Sequence, residues 1–214
     1  MKDKPVASKN LPKWLEWARE IQALSQTGLK YSADEYATQR YQRLMEIAAE
    51  IVQSHTNLQK EPLLNNFLEQ PGYATPKVDV RGAVIRNDKI LLVQERSDER
   101  WCMPGGWADV GDIPSEMVER EVWEESGFNV VAQKVIGIYD ANRDGRPLQF
   151  YHAYKIVFLC EITGGIARPS EETMAVDFFK FDDLPPLSSS RTNERHLTDI
   201  LSHLRDHNHP VVFD

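Results

Sequence analysis

Three glutamates crowd one helical turn: Glu121, Glu124 and Glu125, within Arg120-Glu121-Val122-Trp123-Glu124-Glu125-Ser126-Gly127-Phe128. Successive residues of an α-helix are rotated by about 100°, so the three carboxylates fall in one sector of the surface. Like charges at i,i+3 and i,i+4 repel by a few tenths of a kcal/mol per pair. A helix gains nothing from that arrangement unless a cation sits among them. The carboxylates also lie toward the C-terminal end of the helix, where the macrodipole is negative. A solvated acidic face is the ordinary alternative. Oxygen-only donors suit Mg²⁺ or Mn²⁺, ions that usually engage substrate phosphates at the same time. Arg120 can pair with Glu116 or Glu124 at i,i+4 and hold the cluster in shape.

Ahead of the helix runs Gly105-Gly106-Trp107-Ala108-Asp109-Val110-Gly111-Asp112. Its glycines let a backbone turn tightly and approach a phosphate or a metal. Loop and helix together resemble the signature of the Nudix hydrolase family, G-x5-E-x7-R-E-U-x-E-E-x-G-U, with U bulky and apolar. Gly106 is the first glycine, and Arg120, Glu121, Val122, Glu124, Glu125, Gly127 and Phe128 all fall in place. The departure is Asp112 where the pattern has Glu, which puts a direct metal role for Asp112 in doubt.

The resemblance implies cleavage of a nucleoside diphosphate linked to another moiety. Glu121 and Glu125 would be the principal metal ligands, with Glu124 assisting and the Gly105 carbonyl a further ligand. Arg120 would orient the glutamates. Bound metals would polarise phosphoryl oxygens and activate water. A general base outside the signature is common in the family; Glu172, ahead of Phe178, fits best, and Glu171 competes. The longer pattern is similar to a bacterial subgroup with a helical N-terminal extension. Its marks are Pro76-Lys77-Val78-Asp79-Val80-Arg81, Trp101, Pro104 to Val110, Phe178-Phe179, Leu184-Pro-Pro-Leu-Ser and Arg191-Thr192. Members of that subgroup are associated with ADP-ribose or CDP-choline hydrolysis and with homodimers. The expected substrate is therefore a small nucleotide conjugate rather than a nucleoside triphosphate. Arg81 and Arg143 could contact phosphate or form surface salt bridges, and Trp107 could stack on a base or pack in the core. An RNA 5′-end or nucleoside triphosphate pyrophosphohydrolase and a non-catalytic nucleotide sensor are the competing functions.

These groups need a scaffold. Alternating apolar residues from Val78 to Ile85, a turn at Asn87-Asp88, and Ile90 to Val93 read as a hairpin. Later strands are expected at Val130–Ile138, His152–Glu161 and Val176–Phe181. Helices are expected at Pro114–Ser126, capped by Gly127, and at Thr192–Asp206. His203 and His207, spaced i,i+4, read as a solvated helix end. The class is α+β, a mixed sheet sandwiched between helices. Residues 1–70 read as a small N-terminal helical domain and linker, and 71–214 as the hydrolase domain. In the first helix Leu11, Trp14, Leu15, Ala18, Ile21 and Leu24 form one stripe that ends at Gly28, and Trp14 and Trp17 read as packing residues. Ser32 and Glu35 fit a capping box opening a second helix, whose stripe is Ala37, Tyr41, Leu44, Ala48, Ile51 and Val52. A short helix is expected around Leu63–Leu68.

The balance of the chain limits its partners. Net charge is -8, with 33 acidic against 25 basic residues, whereas nucleic-acid binding needs a basic footprint. A small anionic substrate is compatible, because bound metal inverts the local field. Two distant cysteines, Cys102 and Cys160, and a polar start without an apolar signal region imply a cytoplasmic protein that does not enter a membrane.

Overall fold

A computed structural model describes residues 12–68, 73, 75–109, 111–141 and 152–214. Leu11 and Arg143, both singled out in the sequence, lie outside the described residues. By contact the chain divides into two compact units, Met1–Pro76 with Asn142–His152, and Lys77–Ala141 with Ala153–Asp214.

The first unit contains α1 (Lys13–Tyr31), α2 (Glu35–His55) and α3 (Lys60–Leu68). Leu15 and Ala18 of α1 are buried with Met45, Ala49 and Val52 of α2 and Leu63 and Phe67 of α3. Three expectations change here. Gly28 does not end α1. It lies inside the helix, where a Cβ would meet the Tyr41 ring at 2.4 Å, so its smallness serves the close approach of α2. The N-cap of α2 is Asp34, whose carboxylate accepts from the Ala37 N–H at 2.9 Å, one acceptor choice among the residues that favour caps. The single stripe of α1 splits: Leu24 is exposed, and so is Trp17, expected as a packing residue, while Trp14 stacks on His55 with ring centroids 4.6 Å apart.

The second unit is built on a seven-stranded mixed sheet in the order β3-β2-β1-β5-β4-β7, with β6 paired to β2. The strands are β1 (Lys77–Arg86), β2 (Lys89–Glu95), β3 (Trp101–Cys102), β4 (Phe128–Asp140), β5 (Ala153–Gly165), β6 (Thr173–Lys180) and β7 (Val212–Phe213). The helices are α4 (Pro114–Ser126) and α5 (Glu194–Arg205). Alternation along β1 serves both faces. Val80 and Val84 pack with Met117, Val118 and Val122 of α4. Ala83 packs on the other face with Leu197 and Ile200 of α5. The α+β class and the sandwich between helices are as the sequence implied. His203 departs from expectation: it is wholly buried beside His209, with ring centroids 4.9 Å apart.

The β1–β2 hairpin decides where the glycine loop goes. Asn87 and Asp88 both take positive φ, 53° and 59°, which fits a two-residue turn matched to strand twist. Yet the ladder runs only through Ile85↔Ile90 and Arg86↔Lys89 before the strands part. β1 then pairs in parallel with β5, and β2 pairs antiparallel with β6. The edge of β1 that β2 leaves carries backbone groups that need partners. The loop after β3 supplies them: Val80 N–H donates to Gly106 at 2.9 Å, Gly82 N–H to Pro104 at 2.9 Å, and Ala108 N–H to Val78 at 2.9 Å.

Candidate active site

That ladder carries Gly105 and Gly106 beneath α4. Gly105 has φ +140°, and a Cβ there would lie 2.1 Å from the Val80 carbonyl oxygen, so no side chain fits. Its N–H donates to Glu125 Oε2 at 2.9 Å. A Cβ on Gly106 would lie 3.0 Å from Glu121 Oε2. Helix and loop are thus held together through Glu125, with Glu121 lying close over Gly106. α4 starts with Pro114 in its first turn, ends on Gly127 in the left-handed region at φ 78°, and presents Met117, Val118 and Val122 to the core. That orientation turns the acidic sector toward the loop.

Burial sets the electrostatics. Glu125 is 7% exposed. Desolvation raises its carboxyl to about 8, with Glu95 and Glu121 adding to the rise and Arg81 and the Gly105 N–H opposing it. Glu121 is shifted in the same direction, first by burial, and the charges of Glu124 and Glu172 add to it. Glu124 is the exposed member. Arg120 reaches three acids: Asp112 at 3.1 Å, Glu121 at 3.3 Å and Glu124 at 3.7 Å. Asp112 also accepts from the Asp109 N–H at 3.1 Å. The shortened residue therefore braces Arg120 and closes its own turn.

The carboxylates fit a hard divalent cation in charge and donor type. A buried carboxylate whose hydrogen bond comes from one backbone N–H carries a desolvation penalty that a cation would relieve. Glu121 is turned to Arg120 and Glu125 to Gly105, so among the described residues no three Asp, Glu, His or Cys side chains close on one point.

The other candidates fall in different places. Glu172 and Glu171 sit on the exposed loop before β6, with Glu172 close enough for its charge to act on Glu121. Trp107 is 48% exposed beside Asp79, outside the core. Arg81 occupies neither expected position, phosphate contact or surface salt bridge. It is 4% exposed, binds both Asp79 oxygens at 2.9 Å, and donates to the Met103 carbonyl at 3.2 Å. Lys155, also buried, lies 3.5 Å from Asp79 and donates to the carbonyls of Ser190 and Arg191. Burial pushes the Asp79 carboxyl up, but Arg81 and Lys155 outweigh it and hold it below the usual carboxylate range.

Two groups escaped the sequence reading. Glu95 is 8% exposed, accepts from Cys102 Sγ at 3.2 Å and faces Arg191 at 3.3 Å. Thr173 is buried between the Glu172 loop and α4. A signal existed for the ionic cluster, since Asp79 and Arg81 are charges two apart inside an apolar strand. None existed for Glu95 or Thr173, whose partners Arg191 and Glu125 are remote in sequence.

The site is thus an acidic helix set against a glycine loop on a mixed sheet between helices. This chain belongs to the Nudix hydrolase family: the model of the NUDIX domain matches residues 76–199. A second model, "UDP-X-like, N-terminal oligomerisation domain", matches residues 12–67. The chain is 39% identical over 202 residues to the Bacillus subtilis (strain 168) protein "Putative ADP-ribose pyrophosphatase YjhB", covering 94% of this chain and 97% of that one. The structure of an ADP-ribose pyrophosphatase from Streptococcus suis 89-1591 superposes with a TM-score of 0.59 at 40% identity, covering 65% of this chain and all (100%) of that one. A UDP-X diphosphatase structure superposes with a TM-score of 0.61 at 28% identity, covering 94% and 98%. Among the described residues no helix is long and apolar enough to cross a membrane.

Proposed function

We propose that this hydrolase cleaves the diphosphate of a small nucleotide conjugate of the ADP-ribose or CDP-choline class, releasing a nucleoside monophosphate, with Mg²⁺ or Mn²⁺ as cofactor. The observation that carries it is Glu125: a carboxylate buried to 7% exposure, one turn from Glu121 and pinned to the glycine loop. Glu121, Glu125 and Glu124 would hold the cation, with the Gly105 carbonyl beside them. The bound ion supplies charge for the phosphoryl oxygens and makes water more acidic. The chain's own part is positioning and exclusion of water. Arg120 orients the acids, Glu172 accepts the proton of the attacking water, and exposed Trp107 stacks on the base. Arg81 contributes from inside, by holding the Met103 carbonyl at the start of the loop. A reducing compartment such as the cytoplasm suits the free, buried thiols of Cys102 and Cys160.

The test is a substrate panel run with and without millimolar Mg²⁺ or Mn²⁺: ADP-ribose, CDP-choline, a UDP-sugar, a nucleoside triphosphate and triphosphate-ended RNA. Expected is metal-dependent release of a nucleoside monophosphate from ADP-ribose or CDP-choline. Preference for the UDP-sugar would move the substrate class toward that of the UDP-X relative. Phosphate or pyrophosphate from RNA or triphosphate alone would replace the reading, and no hydrolysis at all would favour a sensor.

The same proposal includes a homodimer. Trp17, Leu24 and Tyr31 follow one another at seven-residue spacing on α1 and are 57%, 61% and 73% exposed, a stripe a second copy could cover. The oligomerisation wording of the matching N-terminal family model supports this. Light scattering at micromolar concentration should give twice the chain mass of 24.6 kDa; a single chain mass would remove the dimer from the account.

A further inference from the structure

The loop that carries Glu171 and Glu172 meets the end of α4 twice: the Arg168 N–H donates to the Ser126 carbonyl at 2.8 Å, and beside the two acids a buried hydroxyl reaches Glu125. Thr173 opens β6 and has 0% exposure. Its Oγ1 donates to the Glu125 carbonyl at 3.0 Å and accepts from the Ser170 N–H at 2.8 Å. Ser170 Oγ in turn accepts from the N–H groups of Glu172 and Thr173, each at 3.2 Å. From the opposite side, Arg96 at the end of β2 donates its N–H to the Glu172 carbonyl at 2.9 Å and its Nε to the Glu171 carbonyl at 3.0 Å. The backbone of residues 170–173 is therefore gripped between β2 and α4. The bonds in this mesh that involve Glu171 and Glu172 use only their main-chain groups, which leaves both carboxylates outside it.

We infer that Thr173 is a positioning residue that registers Glu172 against Glu121 and Glu125, with Arg96 as the outer clamp. The inference rests on the reading of Glu172 as the proton acceptor. A hydrogen bond to the carbonyl of Glu125 itself ties the loop to the residue that would hold the cation, so a slip of the loop changes the distance from Glu172 to the cation site directly. Near-attack geometry is sensitive to such slips: a displacement of about 1 Å can cost about a hundredfold in rate. A purely structural alternative exists, since the Glu125 carbonyl is among the last of α4 and needs a partner in any case.

The experiment compares wild type, Thr173→Val, Thr173→Ser, Arg96→Met, Glu172→Gln and the Thr173→Val/Glu172→Gln pair on the conjugate that the panel shows to be hydrolysed. It reads kcat, KM, Mn²⁺ half-saturation and thermal midpoint. Expected for Thr173→Val is a kcat loss of about tenfold to a hundredfold, with KM and Mn²⁺ half-saturation within about twofold. Thr173→Ser should restore most of the rate, because it keeps the hydroxyl. In the Glu172→Gln background, Thr173→Val should change kcat by less than about twofold, since two groups acting through one step are not additive. Equal losses in both backgrounds, a shifted Mn²⁺ half-saturation, or failure of Ser to rescue would overturn the inference. Wild-type turnover in Glu172→Gln would instead overturn the base assignment itself. If Thr173→Val fails to fold, Thr173→Ala with and without Glu172→Gln makes the same comparison, and Arg96→Met with and without Glu172→Gln reads the outer clamp, since Arg96 is exposed and, among the described residues, its side chain bonds only the Glu171 carbonyl.

Discussion

Glu125→Gln is expected to abolish most turnover while making the metal-free protein more stable above neutral pH. The rate loss should be on the order of a thousandfold, the scale on which removing one fixed electrostatic group from a preorganised site acts. The stability gain follows from burial. Glu125 keeps its proton up to about pH 8 in the folded chain, whereas an exposed glutamate titrates near about 4.3. Between those values the folded state binds more protons than the unfolded state, so the free energy of unfolding falls as pH rises. The stabilisation is complete below the unfolded value and is lost as pH climbs through the folded one. Each unit of such a shift corresponds to about 1.4 kcal/mol. Glu121 is shifted in the same direction and steepens the slope. Gln has the same size, can still accept from the Gly105 N–H, and carries no charge to desolvate.

Thermal midpoints from pH 5 to 9 in chelator should therefore fall for wild type and fall less steeply for the variant, which keeps only the Glu121 contribution. Saturating Mn²⁺ should flatten the wild-type curve, because ligation favours the deprotonated carboxylates. Unchanged turnover in the variant, or a wild-type midpoint that does not fall with pH in chelator, would count against a cation site at this turn.

The second large effect is on stability. Asp79→Asn should destabilise the fold by about 3–5 kcal/mol, the usual consequence of removing one partner from a buried ion pair. Asp79 neutralises two cations that share its burial, Arg81 and Lys155. Asn preserves the volume but leaves Arg81 and Lys155 in the core without that charge. Urea unfolding at pH 7 would measure the loss, and a change below about 1 kcal/mol, the range of exposed pairs, would show that the cluster is not the brace described. Arg81→Lys should rescue poorly, since a point charge cannot reproduce the two-pronged bond to Asp79 together with the bond to the Met103 carbonyl. Loss of that bond frees the start of the glycine loop, so kcat should fall along with stability.

The elements of this chain were largely legible because each has a local period. Helical spacing marked α1 and α2, alternation marked β1, the apolar run Ile90 to Val93 marked β2, and Pro114 and Gly127 marked the ends of α4. The acidic turn was legible for the same reason: Glu121, Glu124 and Glu125 are neighbours in the chain, and helical geometry alone puts them on one side. Local rules also misled where two of them competed. Gly28 reads as a helix stop, but its missing Cβ admits the Tyr41 ring, and Ser32 reads as a cap that Asp34 takes instead.

What the tertiary structure alone decided depends on which strand neighbours which. Two-residue pairing followed by parting of β1 and β2 opened the edge that carries Gly105 and Gly106. Parallel pairing of β1 with β5 brought Lys155 beside Asp79 and turned Arg81 from a candidate phosphate contact into a buried brace. Pairing of β2 with β6 set Glu95 opposite Thr173 and carried the Glu172 loop to α4. The type and periodicity of a residue fix the face of the element on which it lies. Its partner across the sheet is chosen by burial and hydrogen bonding summed over the whole domain, and no short stretch of sequence contains that sum.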